Sequence, residues 1–325
     1  MRVENTNINS TQKSNNIANT SSQSQNIEIG KLLASNSVKT QSSNKTINGS
    51  NASITIERQE NSSIPGFNTQ KLTIKPSDGL SFTIDLHIDN SCNAENQNLT
   101  EKISKIISNL PSNVLEDLKE ECKHIAIPKN IVYNKEAKGL AIGPLNQIFL
   151  SADRMKDMTN AEVSDTLIHE LGHLIDYHKS SFGIGEATNS YKREFNKLKT
   201  NITKDLGFDT EAHTFKGVNE LFADYYLYQS SKVSDNHRSK AIFDLLNSYK
   251  NDVETLSSEE LQSKYGEKTS SIIELTNNWK TMERQFKYYL GNVNDPEIVD
   301  RMDETKTPMN LEQLNQQIEK QNKKF

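Results

Sequence analysis

The sequence predicts an α+β protein in which a small mixed sheet packs on one long helix and a mainly helical C-terminal lobe follows. Three observations predict it. Alternating apolar runs at 71–75 and 80–88 flank a Pro-Ser-Asp-Gly turn, the pattern of a β-hairpin. Short apolar runs at 131–133 and 147–150 read as further strands. From residue 161 onward apolar residues recur mostly at helical spacing.

The first part of the chain is expected to contribute little to a core. Hydrophobic residues make up only 33% of its 325 residues, against about 45–50% in an ordinary globular domain. Asn, Gln, Ser and Thr account for more than half of residues 1–63. Such a segment buries too little apolar surface to offset the entropy of ordering, so 1–63 is expected to be a disordered polar leader, with weak helix at 27–33. No apolar run follows its basic start, which argues against a cleavable secretory signal. The leader is either a solvated tail or a non-cleaved export signal. Asn-X-Ser/Thr triplets at Asn48, Asn51 and Asn61 follow from composition.

Residues 64–130 form an N-terminal extension, part of the catalytic fold or packed on it. It holds the hairpin and two helices, 100–110 and 112–124, broken at Pro111. Cys92 and Cys122 are too few for a disulfide scaffold and make one bridge or none. Residues 131–292 carry the chemistry. A turn-rich connection at 139–144 leads to the strand at 147–150. The strongest helix spans 161–179, with Val163, Leu167, Leu171, Leu174 and Ile175 on overlapping apolar faces. After a loop at 180–187, helices are expected at 190–199, 217–231, 238–249 and 273–290, the last with Trp279, Phe286, Tyr288 and Tyr289 as core. Residues 293–325 read as a flexible charged tail.

Charge narrows the function. Lys and Arg number 38 against 43 Asp and Glu, a net charge of -5. This balance argues against a general nucleic-acid binder. No window approaches ~18 apolar residues, so no membrane span is expected.

Within the long helix stands His169-Glu170-Leu-Gly-His173. Residues four apart lie one turn above each other, so His169 and His173 can offer two imidazoles to one metal ion. Zinc suits imidazole and in catalytic sites takes three protein ligands plus a water. Glu170 is placed to take a proton from that water, whose pKa zinc lowers to about 7. Burying two histidines and a glutamate without a role would be costly.

The third ligand sets the class. An H-E-x-x-H-x-x-G-x-x-H arrangement fails, because 176 is Asp, 179 is Lys and His178 is out of register; a G-T-x-D run is absent. A glutamate on a second helix is the other option, and Asn219-Glu220-Leu-Phe-Ala223-Asp224 supplies one. This pair of motifs resembles the gluzincins, whose downstream motif is commonly N-E-x-x-[SA]-D. The resemblance implies a zincin-like metalloprotease domain, with Glu220 as third zinc ligand and Asp224 bonded to a ligand histidine, His169. Glu220 and Asp224 share a helix face, and a carboxylate behind a ligand imidazole fixes its tautomer.

Within that group the chain is most similar, over about 131–246, to the family of the anthrax lethal factor catalytic domain and the Pro-Pro endopeptidases. The resemblance rests on H-E-x-G-H-x-x-D, with Asp176 structural or beside the ligands, and on the aromatic-rich N-E-x-F-A-[DE] helix. It implies that the strand at 148–151 lies antiparallel to an extended substrate. In that family a tyrosine seven residues before the third ligand stabilises the oxyanion. Here that position is His213, which can donate the same hydrogen bond or be an ordinary loop histidine. Tyr191, Tyr225 and Tyr226 are other candidate donors. His87, His124, His178 and His237 have no spaced partner and read as structural or exposed.

The expectation is a zinc-dependent endopeptidase acting on a protein or peptide bound in extended form. The resemblance suggests an exported bacterial toxin or effector that cuts a host protein. The alternatives are a cytoplasmic housekeeping or phage-borne metallopeptidase, and a non-catalytic toxin component of the same fold that binds a partner.

Overall fold

The computed structural model describes residues 45–58, 65–92, 96–132, 135–179, 188, 191–206, 213–230 and 238–291. The expected helix at 27–33, the loop at 180–187, His237 and the tail at 293–325 lie outside the described residues.

Among the described residues, seven strands form one mixed sheet: β1 (Lys45–Asn48), β2 (Ala52–Arg58), β3 (Phe67–Pro76), β4 (Phe82–Asp89), β5 (His124–Ile127), β6 (Gly139–Ile142) and β7 (Gln147–Leu150). Their order is β1-β2-β3-β4-β5-β7-β6. The first four are antiparallel neighbours. β4, β5 and β7 run parallel, and β6 returns antiparallel to β7. The hairpin forms as its alternation predicts, with Leu72 opposite Ile84 and Ile74 opposite Phe82.

The sheet is larger than the sequence suggested, for three physical reasons. Residues 45–58 fall in the expected disordered leader, yet they form β1 and β2. Ala52, Ile54 and Ile56 alternate there and are buried, a period-two signal hidden by polar composition. The helix expected to reach 124 ends at 121, residues 124–127 form β5, and 131 and 132, expected in a strand, are outside any. Ile125-Ala126-Ile127 is the continuous apolar run of a parallel strand buried on both faces. Residues 139–142, expected as a turn, form β6, and the reversal falls just after it, at Asn146 in the left-handed region (φ 51°).

Two helices, α1 (Asn96–Ser108) and α2 (Ser112–Glu121), make the crossover from β4 to β5. After β7 come a single turn, α3 (Ala152–Met155), then α4 (Asn160–His178), α5 (Lys192–Leu206), α6 (Val218–Ser230), α7 (Arg238–Thr255), α8 (Ser258–Tyr265) and α9 (Thr269–Tyr289). α4 starts at a reciprocal cap: the Thr159 hydroxyl accepts from the Glu162 N–H, and the Glu162 carboxylate accepts from the Thr159 N–H at 2.8 Å. α8, which the sequence reading missed, starts at the same device between Ser257 and Glu260.

One core lies between the sheet and the helices, joining Ile54, Leu72 and Ile84 to Ile103, Leu118 and Leu171. Trp279 and Phe286 of α9 are fully buried against Tyr225 and Phe243. A smaller cluster, Ala126, Ile131, Ile142 and Phe149, covers part of the opposite sheet face. Among the described residues, no helix is long and apolar enough to cross a membrane.

Candidate metal centre

α4 and α6 build the site, and a glycine lets them. A Cβ on Gly172 would stand 2.9 Å from Ala223 Cα, so the backbones meet where α4 has no side chain. Glu220 and Asp224 lie on α6 three residues before and one after that contact. They face His169 and His173, one turn apart on α4.

Glu220 Oε2 lies 3.3 Å from His169 Nε2 and 3.4 Å from His173 Nε2. The two imidazole nitrogens are 3.2 Å apart. Tetrahedral zinc, with bonds of about 2.0–2.1 Å to nitrogen and oxygen, sets neighbouring ligand atoms about 3.3–3.4 Å apart. Three edges of that tetrahedron are therefore present in the side chains. Glu220 Oε2 is buried, and imidazole nitrogens of His169, His173 and His213 surround it at 3.3, 3.4 and 3.1 Å. A buried carboxylate oxygen and two imidazole nitrogens turned toward one another offer lone pairs that one cation can serve, so the donor set fits zinc.

The same three groups shift one another's titration. Burial opposes charge on all three groups, but the carboxylates of Asp224 and Glu220 outweigh it at His169, and Glu220 does so at His173; both imidazoles are raised. Those rings hold the Glu220 carboxyl well below the usual carboxylate range against its own burial.

His169 Nδ1 lies 2.8 Å from Asp224 Oδ1. The other Asp224 oxygen accepts from the Thr214 hydroxyl at 2.5 Å. Thr214 sits in a short 3-10 turn, His213–Phe215, that leads into α6. In the same turn His213 Nδ1 stands 3.1 Å from Glu220 Oε2. Its ring is half exposed, at the mouth of the site, whereas the other three side chains are sheltered. Burial and the neighbouring His169 lower its pKa despite Glu220. The tyrosines weighed as alternative donors spend their hydroxyls elsewhere: Tyr191 on Gln285, Tyr225 on Glu283 and Tyr226 on Asp117.

Glu170 is 7% exposed. Burial raises its pKa, while the two histidines pull the other way. Strand β6 covers it: the Ala141 N–H donates to the Glu170 carboxylate, and a Cβ on Gly139 would meet Glu170 Oε1 at 2.5 Å. This corrects the sequence reading of the strand at 148–151. β7 is paired on both sides, with β5 and β6, so it has no edge to offer. Among the described residues, the edge nearest the site is β6.

No family model, curated protein or solved structure matches the chain. The residues themselves carry the functional reading.

Asp176 does not join the cluster. Its oxygens accept from the Thr188 N–H at 2.9 Å and the Thr188 hydroxyl at 2.6 Å, the structural one of the two roles expected for it. His178 pairs with Glu121. His87 and His124, which had no partner in sequence, meet across β4 and β5. Thr214, Gly139 and Ala141 were not singled out in the sequence. A hydroxyl four residues before an α6 start, and a glycine in an apolar run before the motif, were the signals available.

Proposed function

We propose that this chain is a zinc-dependent endopeptidase with a zincin-type catalytic domain. His169, His173 and Glu220 hold the ion, and Glu170 is the general base. The observation that carries this reading is Glu220 Oε2, a buried carboxylate oxygen at zinc-ligand spacing from two imidazole nitrogens.

Zinc in this cradle would supply Lewis acidity, bringing the pKa of a bound water down from 15.7 to about 7 and polarising a substrate carbonyl. Glu170 takes the proton from the attacking water and returns it to the leaving amine. Its buried environment favours the protonated form, which suits the second of these tasks. His213 at the mouth donates to the developing oxyanion. An extended peptide adds along the β6 edge, beside the Ala141–Glu170 contact, so backbone pairing would position the scissile bond. The intact base and ligand set favour this reading over a non-catalytic partner-binding domain.

The test is a peptide-library digest with zinc-loaded protein and its Glu170→Gln variant. The variant is expected to keep its zinc and lose about 10²–10⁴-fold in cleavage rate. Undiminished cleavage by Glu170→Gln would overturn the mechanism. Unchanged zinc affinity in Glu220→Ala would overturn the metal centre.

A further inference from the structure

A second set of metal-ligand side chains lies on the sheet face turned away from the helices. β4 and β5 run parallel there, with Asp85 opposite His124 and His87 opposite Ala126. Ile84, Leu86, Ile88, Ile125 and Ile127 fill the helix side, so alternation sends Asp85, His87 and His124 to the other face. His87 Nε2 lies 3.3 Å from His124 Nδ1, and His124 Nδ1 lies 3.7 Å from Asp85 Oδ2. All three ligand atoms fall within 4.8 Å of one another.

The surroundings suit a metal. His87 Nδ1 is 3.0 Å from Thr69 Oγ1 on β3. An N–H donated to that hydroxyl leaves the Nε2 lone pair aimed at His124 and fixes the ring, as partners behind metal ligands do. His87 is 1% exposed and forms the floor. The His124 and Asp85 side chains are 14% and 33% exposed, so an ion and its waters can enter. Burial, with the charge of His124, lowers the His87 pKa to about 3, and burial lowers His124 too. Lys71 faces Asp85 across β3 and β4 and competes with the ion for it.

We propose that Asp85, His87 and His124 form a second divalent-metal site, distinct from the α4–α6 centre, that clips β5 to β4. Two imidazoles and one carboxylate select a borderline transition metal such as zinc, nickel or copper(II), with water completing the shell. The ion would cross-link the two strands at which the sheet changes from antiparallel to parallel pairing.

The test titrates chelator-stripped full-length protein with Co²⁺, following absorption and the melting temperature. The wild type is expected to take up two equivalents. The His169→Ala/His173→Ala variant is expected to keep one, and adding His124→Gln should weaken that one by about tenfold or more. Asp85→Asn, at a part-exposed position that tolerates exchange, should weaken it in the same direction if His124→Gln fails to fold. A single equivalent in the wild type that vanishes in the double histidine variant overturns the proposal. So does uptake by the double variant that neither His124→Gln nor Asp85→Asn changes.

Discussion

Asp224 reaches from α6 to the His169 ring on α4, with Oδ1 2.8 Å from Nδ1. Its other oxygen is fixed by the Thr214 hydroxyl, so the carboxylate cannot turn away. An N–H donated from Nδ1 puts the free lone pair on Nε2, the atom that faces His173 and Glu220. The site is thus ordered by a residue that touches no ion. Asp224→Asn keeps one acceptor but removes the negative charge behind the imidazole. It should lower zinc affinity about 10–100-fold while leaving the fold intact, as read by competition with a chromophoric chelator and by circular dichroism.

His213 separates two roles at the same mouth. Its Nδ1 is 3.1 Å from Glu220 Oε2, near enough to orient the carboxylate or to serve an oxyanion just beyond it. Replacing an oxyanion donor lowers kcat by about 10²–10³-fold. His213→Ala should show that loss with KM and zinc content nearly unchanged, and His213→Tyr, which restores a donor, should recover part of it. Loss of zinc from His213→Ala would instead make the residue a metal ligand.

Gly172 sets how closely the two ligand-bearing helices approach. Alanine gains up to about 1 kcal/mol over glycine in a helix interior. Here the added carbon would sit 2.9 Å from Ala223 Cα, a backbone atom that no rotamer change can move. Overpacking of this kind costs about 1–3 kcal/mol, so the clash outweighs the propensity. Gly172→Val should lower stability further in urea and weaken zinc binding, because α6 carries Glu220 away from the histidines as it shifts.

The shared faces of the candidate site were legible in the sequence because helical periodicity converts spacing into geometry. His169 and His173 lie on one α4 face, and Glu220 and Asp224 on one α6 face, from local rules alone. The sheet was harder. β2 shows alternation only in Ala52, Ile54 and Ile56, within a stretch whose composition argues for disorder. β5 and β6 are four residues each and become strands through pairing with neighbours distant in sequence. Pairing of that kind hid the meeting of His87 and His124, which no sequence spacing encodes. It also moved the edge from β7 to β6, since which strand is outermost depends on the whole order.

Glu283 gives the fold a pH dependence. Its side chain is 8% exposed on α9, where it accepts from Lys250 at 2.7 Å and Lys287 at 2.8 Å. Burial alone would raise its pKa, but the two lysines prevail and hold it below the usual carboxylate range. Between the folded and unfolded pKa values the unfolded chain binds more protons, so stability rises with pH there. The contribution is complete above the unfolded value of 4.5 and is lost as pH falls through the folded one. Glu283→Gln removes the charge and leaves two part-exposed lysines that water can serve. It should cost about 1–3 kcal/mol at neutral pH, the range for a charged hydrogen-bonded group. The cost should shrink as acid protonates the wild-type carboxyl. Urea unfolding of both proteins at neutral pH and across the acid range measures the difference. A gap that stays constant down to acid pH would assign the lysine contacts a purely steric role.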